Sequence, residues 1–346
     1  MAYRMRRLLI NNRIRAFAER YSSEVQKLQP NVTVELADLR DSIIKYNTWK
    51  DPKVPEMYIN TLIADYPALL TLEPKDWDFK KYDDISKLDS GMLTREVIYG
   101  YTKEQVKGGT VVKPSRALKN QLYERILFCL RYKEARSILG PIHQDMGLKT
   151  CVYCNINPTD SSPEGDVFYE MDHFKAKSDF PFLGTCFYNL QPCDGACNKR
   201  KSAQPCDFQL YLNDATEELS PFRFVPQVVE LDKTRGTHQC IKIDFVDIDG
   251  NYSADCEQYD NTFDIIKHYS AHYRDVEQIY WKNSQCGVTG SAEHYRRSVG
   301  YDPTEDDVYN YCLGFPLNED LIHEEPLRKL KIDTVKQLKE NGVLKV

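Results

Sequence analysis

Apolar positions recur at helical spacing through residues 1–70. Leu8, Leu9, Ile14, Phe17, Ala18 and Tyr21 form one stripe, and segments 41–50 and 57–70 continue in the same style. Segment 72–90 breaks the pattern: it is dense in Lys and Asp, poor in aliphatics, and reads as a surface connection. Gly108-Gly109 reads as a turn, since the Gly-Lys-Ser/Thr ending of a phosphate loop does not follow it. Pro114-Ser115 then opens a strong helix whose buried face is Leu118, Leu122, Ile126, Leu127, Leu130 and Ile138. Val167-Phe168-Tyr169-Glu170-Met171 is predicted to be a strand running into Asp172-His173. Further on, 222–230 and 241–248 alternate as strands do, and Asp249-Gly250-Asn251 reads as a hairpin-like turn. A long helix is predicted over 262–281, with Phe263, Ile266, Tyr269, Tyr273, Val276 and Tyr280 on one face. Thr304-Glu305-Asp306-Asp307 looks like a helix start, and 330–339 is a final short helix.

This order of elements predicts an α+β protein of 346 residues in three regions. They are a mainly helical N-terminal region (1–113) suited to docking a partner, a central core with its preceding helix (114–212), and a C-terminal strand-and-helix extension (213–346). Hydrophobic residues make up 41% of the chain and no apolar run is long enough for a membrane span, so no membrane partner is expected. The formal net charge of −6 argues against a protein that coats nucleic acid indiscriminately; local basic patches decide phosphate binding. Eleven cysteines, an odd number, without a secretory apolar leader point to a reducing cytoplasm. There, closely spaced cysteines more often bind metal than form disulfides.

Two short-spaced cysteine pairs stand out, Cys151-Val152-Tyr153-Cys154 and Cys193-Asp194-Gly195-Ala196-Cys197. Four thiolates presented from two turns suit tetrahedral, structural Zn²⁺. The second pair is one residue wider than the common two-residue spacing, and Cys186 and Cys206 lie near enough to be substitutes. Between the pairs lie Asp172-His173 at the end of the predicted strand and Asn189 in Phe187-Tyr188-Asn189-Leu190; Asn198 follows Cys197 directly.

The string DHFKAKSDFPF…FYNLQPCDGACNKRKS resembles the HNH (ββα-metal) endonuclease family. In particular it is similar to the zinc-containing members found beside an ATPase in bacterial anti-phage systems of the Septu-like and retron-linked kinds. The resemblance is clearest over 149–202. It implies a zinc-stapled ββα-metal core, a phosphodiester hydrolase acting on nucleic acid (DNA favoured, RNA possible), and an ATPase as candidate partner.

The chemistry suits the residue types. Phosphodiester cleavage needs an activated water, a cation on the scissile phosphate and stabilisation of the departing oxygen. A neutral His173 can take the water's proton. Asp172 and the amide oxygen of Asn198 are hard ligands for Mg²⁺ or Mn²⁺. Asn189, both donor and acceptor, can bridge backbone groups and hold the segment presenting His173. The resemblance implies the same roles for these four residues. Lys175, Lys177, Lys199, Arg200 and Lys201 are expected to contact phosphates beside the cut. His268 and His272, spaced i, i+4, lack a third ligand and read as packing residues. The competing expectation is a zinc-stabilised subunit that binds nucleic acid or a partner without cutting.

Overall fold

The computed structural model describes residues 5–28, 31–47, 49, 51–99, 101–106, 109–114, 119–202, 209–228, 241–286, 296–300, 302 and 304–344. Strand β1 (Leu8–Leu9) precedes helices α1 (Asn12–Gln26), α2 (Asn31–Tyr46) and α3 (Lys53–Asp65). Asn11 starts α1, its side chain accepting from the Ile14 amide at 3.0 Å. Ile14, Ala18, Tyr21, Ser22 and Val25 are the face that α1 buries. The predicted connection at 72–90 instead contains a helix, α4 (Lys80–Leu88), which buries Tyr82 and Ile85 and leaves its charges outside.

Segment 96–121 also differs from expectation. It carries short strands β2 (Glu96–Ile98), β3 (Tyr101–Val106), β4 (Gly109–Pro114) and β5 (Lys119–Gln121), with β3 pairing β4 and β2 pairing β5, all antiparallel. Pro114 therefore ends a strand rather than opening a helix; Gly108, Ser115 and Leu118 lie outside the described residues. The helix begins later and is broken in two, α5 (Leu122–Cys129) and α6 (Tyr132–Asp145), because Arg131 adopts a left-handed φ of 59° between them. Gln121 and Glu124 form a capping box at the start of α5.

After α6 come β6 (Glu170–His173), β7 (Leu190–Cys193) and α7 (Gly195–Lys201). The two strands form an antiparallel pair in the register Glu170↔Cys193, Met171↔Pro192, Asp172↔Gln191 and His173↔Leu190. Val167, Phe168 and Tyr169, expected in the first strand, lie before it.

β8 (Tyr211–Leu212) returns to pair in parallel with β1, tying the start of the chain to the segment after α7. β9 (Phe222–Val228) and β10 (Ile241–Asp247) form the expected antiparallel pair. The Asp249-Gly250 turn follows β10 and leads into α8 rather than joining the two strands. The single helix predicted over 262–281 is instead the end of α8 (Ser253–Phe263), α9 (Ile265–Tyr269) and most of α10 (Tyr273–Cys286), interrupted at Asp264 with φ 52° and by a 3-10 turn at Ser270–His272. Helices α11 (Glu305–Leu313), opened by a Thr304–Asp307 capping box, and α12 (Arg328–Glu340) complete the chain.

One apolar core extends through all three predicted regions, from Met5 through Tyr21, Ile126, Tyr188 and Phe224 to Leu330. None of the described helices is long and apolar enough to cross a membrane.

Candidate functional site

β6, β7 and α7 form a ββα unit, and the rest of the molecule holds it from several sides. Asp194 caps α7, its carboxylate accepting from the amides of Ala196 at 2.9 Å and Cys197 at 3.2 Å. The Val152 amide donates to Pro192 O at 3.2 Å, docking the first cysteine turn on β7. From the C-terminal helices, Tyr259 donates to Tyr153 O, and Tyr269 donates to Cys154 O at 2.6 Å.

The metal-competent group is Cys151, Cys154, Asp194 and Cys197, whose ligand atoms all lie within 4.8 Å of one another. This corrects the expected set. Cys193 does not join; its thiol is buried and donates to Glu170 O at 3.5 Å. The reason is strand geometry: Cys193 pairs with Glu170 in the ladder, whereas Asp194 starts the helix and faces the other sulfurs. The sequence carried a signal for this, since Asp194-x-x-Cys197 repeats the spacing of Cys151-x-x-Cys154.

Tetrahedral zinc with Zn–S bonds of about 2.3 Å needs sulfurs about 3.8 Å apart, so the cluster can hold a metal such as zinc. Burial pushes the Cys151 thiol up, while hydrogen bonds from Cys151 and Cys197 hold Cys154 far below the usual thiol range. Cys186 is buried elsewhere, donating to Leu72 O at 3.5 Å, and Cys206 lies outside the described residues.

Asp172, His173, Asn198, Lys177 and Lys199 line one cleft of about 380 Å³. His173 Nε2 lies 3.0 Å from Gly184 O. A carbonyl only accepts, so the proton resides on Nε2 and Nδ1 keeps its lone pair. Burial pushes His173 down to about 3, which keeps the imidazole neutral. Its ring packs on Tyr132, centroids 5.0 Å apart. Position 184 has no room for a side chain: a Cβ at Gly184 would come within 2.2 Å of Leu127 Cδ2 and 2.9 Å of Pro181 O. From α1, Tyr21 donates to the neighbouring Thr185 O at 2.8 Å. The helical N-terminal region thus reaches the loop that orients His173.

Asn189 is fully buried and bridges backbone groups. Its Oδ1 accepts from the Lys175 amide at 2.7 Å, and its Nδ2 donates to Leu183 O at 3.1 Å and Lys175 O at 3.3 Å. Its own carbonyl accepts from the Phe174 amide at 2.8 Å, extending the strand pair past His173.

Asp172 sits deeper than its expected role suggests. Its carboxylate accepts from the Tyr153 hydroxyl and pairs with the Lys201 ammonium at 2.9 Å; both Asp172 and Lys201 side chains are nearly inaccessible, at 5% and 1% exposure. Lys201 also donates to His173 O at 3.0 Å. The expectation that Lys201 contacts phosphate is therefore corrected: three residues after Asn198, it turns inward under the strand pair and neutralises a buried carboxylate. Arg200 is likewise engaged within the protein, with Phe263 O at 2.7 Å, Asp264 at 3.0 Å and His268 at 3.1 Å. Lys177 and Lys199 are exposed at the cleft, while the Lys175 ammonium lies over the Phe174 ring at 4.9 Å. Asn198 Nδ2 donates to Glu170, an exposed carboxylate that the sequence reading did not single out. His268 and His272 belong to no metal-competent group among the described residues.

No protein-family model, curated protein or solved structure matches the chain.

Proposed function

We propose that the protein is a metal-dependent endonuclease of the HNH (ββα-metal) type that hydrolyses phosphodiester bonds, with DNA the favoured substrate. The observation that carries this reading is the convergence of Asp172, His173 and Asn198 on one cleft of a ββα unit. Gly184 O accepts from His173 Nε2, and Asn189 braces the segment that follows the histidine. Nδ1 of His173 accepts the proton of a water as its oxygen attacks phosphorus, and the phosphate–sugar oxygen bond opposite breaks. Lys177 and Lys199, which both line the cleft, hold neighbouring phosphates.

A hard divalent cation would be held through oxygen by Asn198 Oδ1, which remains an acceptor while Nδ2 faces Glu170, and by Asp172 once its carboxylate exchanges the Lys201 ammonium for the cation. Such a cation, when bound, stabilises charge on the scissile phosphate and the leaving oxygen. The Cys151, Cys154, Asp194 and Cys197 group would hold Zn²⁺, which would staple the unit. Incubation with supercoiled plasmid and with total RNA, in Mg²⁺ or Mn²⁺ against EDTA, tests the reading. Cation-dependent nicking supports it; intact substrates under every cation, in the presence and absence of an ATPase partner, count against it.

A second reading has its own observation. Asp172 is already neutralised by Lys201 and bonded to Tyr153, an arrangement that serves a non-catalytic zinc-stapled binding subunit equally well. Tight nucleic-acid binding without cutting is the outcome that favours it.

A further inference from the structure

Alternation along β6 puts Glu170 and Asp172 on one face of the strand, and α7 lies against that face. The helix meets each carboxylate with one side chain, about a turn apart. Asn198 donates through Nδ2 to Glu170, and Lys201 pairs with Asp172 at 2.9 Å. The two contacts differ in setting. Asp172 and Lys201 are buried, whereas Glu170 is exposed and lies outside the lining of the His173 cleft, to which Asn198 contributes.

The backbone of Glu170 is fixed opposite Cys193 in the strand pair, and its carbonyl accepts from the Cys193 thiol at 3.5 Å. Its carboxylate lies beside Gly195, where a Cβ would come within 3.1 Å of Oε1. The bare position at the start of α7 leaves that carboxylate room to reach Asn198, one turn further along the helix.

An asparagine amide has two ends of similar size and opposite polarity, so shape alone does not decide which of them faces the cleft. A carboxylate only accepts. Glu170 therefore takes the nitrogen end, and Oδ1 is the end left for the cleft. We propose that Glu170 is a positioning residue: by holding Nδ2 of Asn198 away from the cleft, it keeps Oδ1 presented to a divalent cation. The proposal rests on the nuclease reading and assigns to Glu170 orientation rather than charge. An amide turned the other way would aim its N–H groups at a cation that takes only oxygen ligands.

Mn²⁺ binding to the full chain, followed by electron paramagnetic resonance of the free ion, tests this in wild type, Glu170→Ala, Glu170→Gln and Asn198→Ala. The last variant marks which binding belongs to the cleft. Glu170→Ala is expected to weaken that binding about fivefold, the worth of one hydrogen bond. Glu170→Gln still offers Nδ2 an acceptor and should stay within about twofold of wild type. In single-turnover cutting of plasmid DNA across the same Mn²⁺ range, the loss in Glu170→Ala should vanish at saturating cation. Because Glu170 is exposed, both variants should keep the wild-type unfolding midpoint. Equal weakening in the two variants makes Glu170 a source of charge and overturns the positioning role, as does unchanged affinity in Glu170→Ala. In both cases wild type still binds the cation, and the nuclease reading stands. Wild type without a Mn²⁺ site sensitive to Asn198→Ala overturns the proposal, and intact plasmid beside that result counts against the nuclease reading as well.

Discussion

Replacing Lys201 with methionine should destabilise the protein by about 3–5 kcal/mol, the cost of removing one partner of a buried ion pair. The pair is inaccessible, with side chains 1% and 5% exposed at 2.9 Å, so solvent screening does not reduce the figure. Methionine fills most of the volume, but Asp172 loses its cation while keeping the Tyr153 hydroxyl, and His173 O loses a donor at 3.0 Å. For a domain stable by roughly 5–15 kcal/mol this is about a fifth of the total or more. Urea unfolding of wild type, Lys201→Met and Lys201→Met/Asp172→Asn at pH 7.5 measures it. The double variant, which removes the orphaned charge as well, should recover at least half of the loss. A single variant within about 0.5 kcal/mol of wild type, the range of surface substitutions, would place Lys201 in solvent as a phosphate contact and refute the buried-pair argument.

Other perturbations follow from the same geometry. Elemental analysis should find one metal per chain in wild type and in Cys193→Ser, and loss of it in Cys197→Ser and Asp194→Ala; the reverse ranking would return Cys193 to the cluster. Asn155→Ala should lower stability by roughly 3 kcal/mol or more, because the buried amide cross-links Thr150 at 2.9 Å, Ile322 O at 2.8 Å and the Lys329 amide at 3.0 Å from a left-handed φ of 51°. Asn155→Gly, which keeps the backbone conformation, should lose about 1 kcal/mol less, and identical losses in chemical denaturation would remove the backbone part of the argument. Burial pushes His143 down to about 3, below its unfolded value near 6.5. Its contribution is therefore intact above about pH 6.5 and declines as pH falls towards 3, by roughly 2 kcal/mol at pH 5. His143→Leu should flatten the acid limb of the stability curve, and a slope equal to wild type would discount this histidine.

What was legible in the sequence was local. Asp172, His173, Asn189 and Asn198 stand at spacings that a strand, a return strand and a helix translate directly into one unit. The capping residue Thr304 and the alternation of 222–228 with 241–247 are also short-range signals. What was missed depends on where neighbouring elements lie. A lysine in Asn198-Lys199-Arg200-Lys201 reads as surface charge until the strand pair is packed over it, and burial then reverses its role. Asp194 escapes any count of thiols, although an aspartate both caps α7 and completes the cluster. The helix at 80–88 is masked by its exposed charges, since its inward face is only Tyr82 and Ile85. The short strands between 96 and 121 owe their existence to pairing with one another, which no single segment announces.

The most direct test of the central claim is a single-turnover comparison of wild type and His173→Ala on plasmid DNA with Mg²⁺ or Mn²⁺, with metal content and unfolding curves recorded for both. Loss of a general base typically lowers the rate by roughly 10²–10⁴-fold. That loss, with the cysteine-bound metal and the fold retained, is what the account predicts. Cutting by His173→Ala at the wild-type rate would contradict it and move the chemistry out of the ββα cleft.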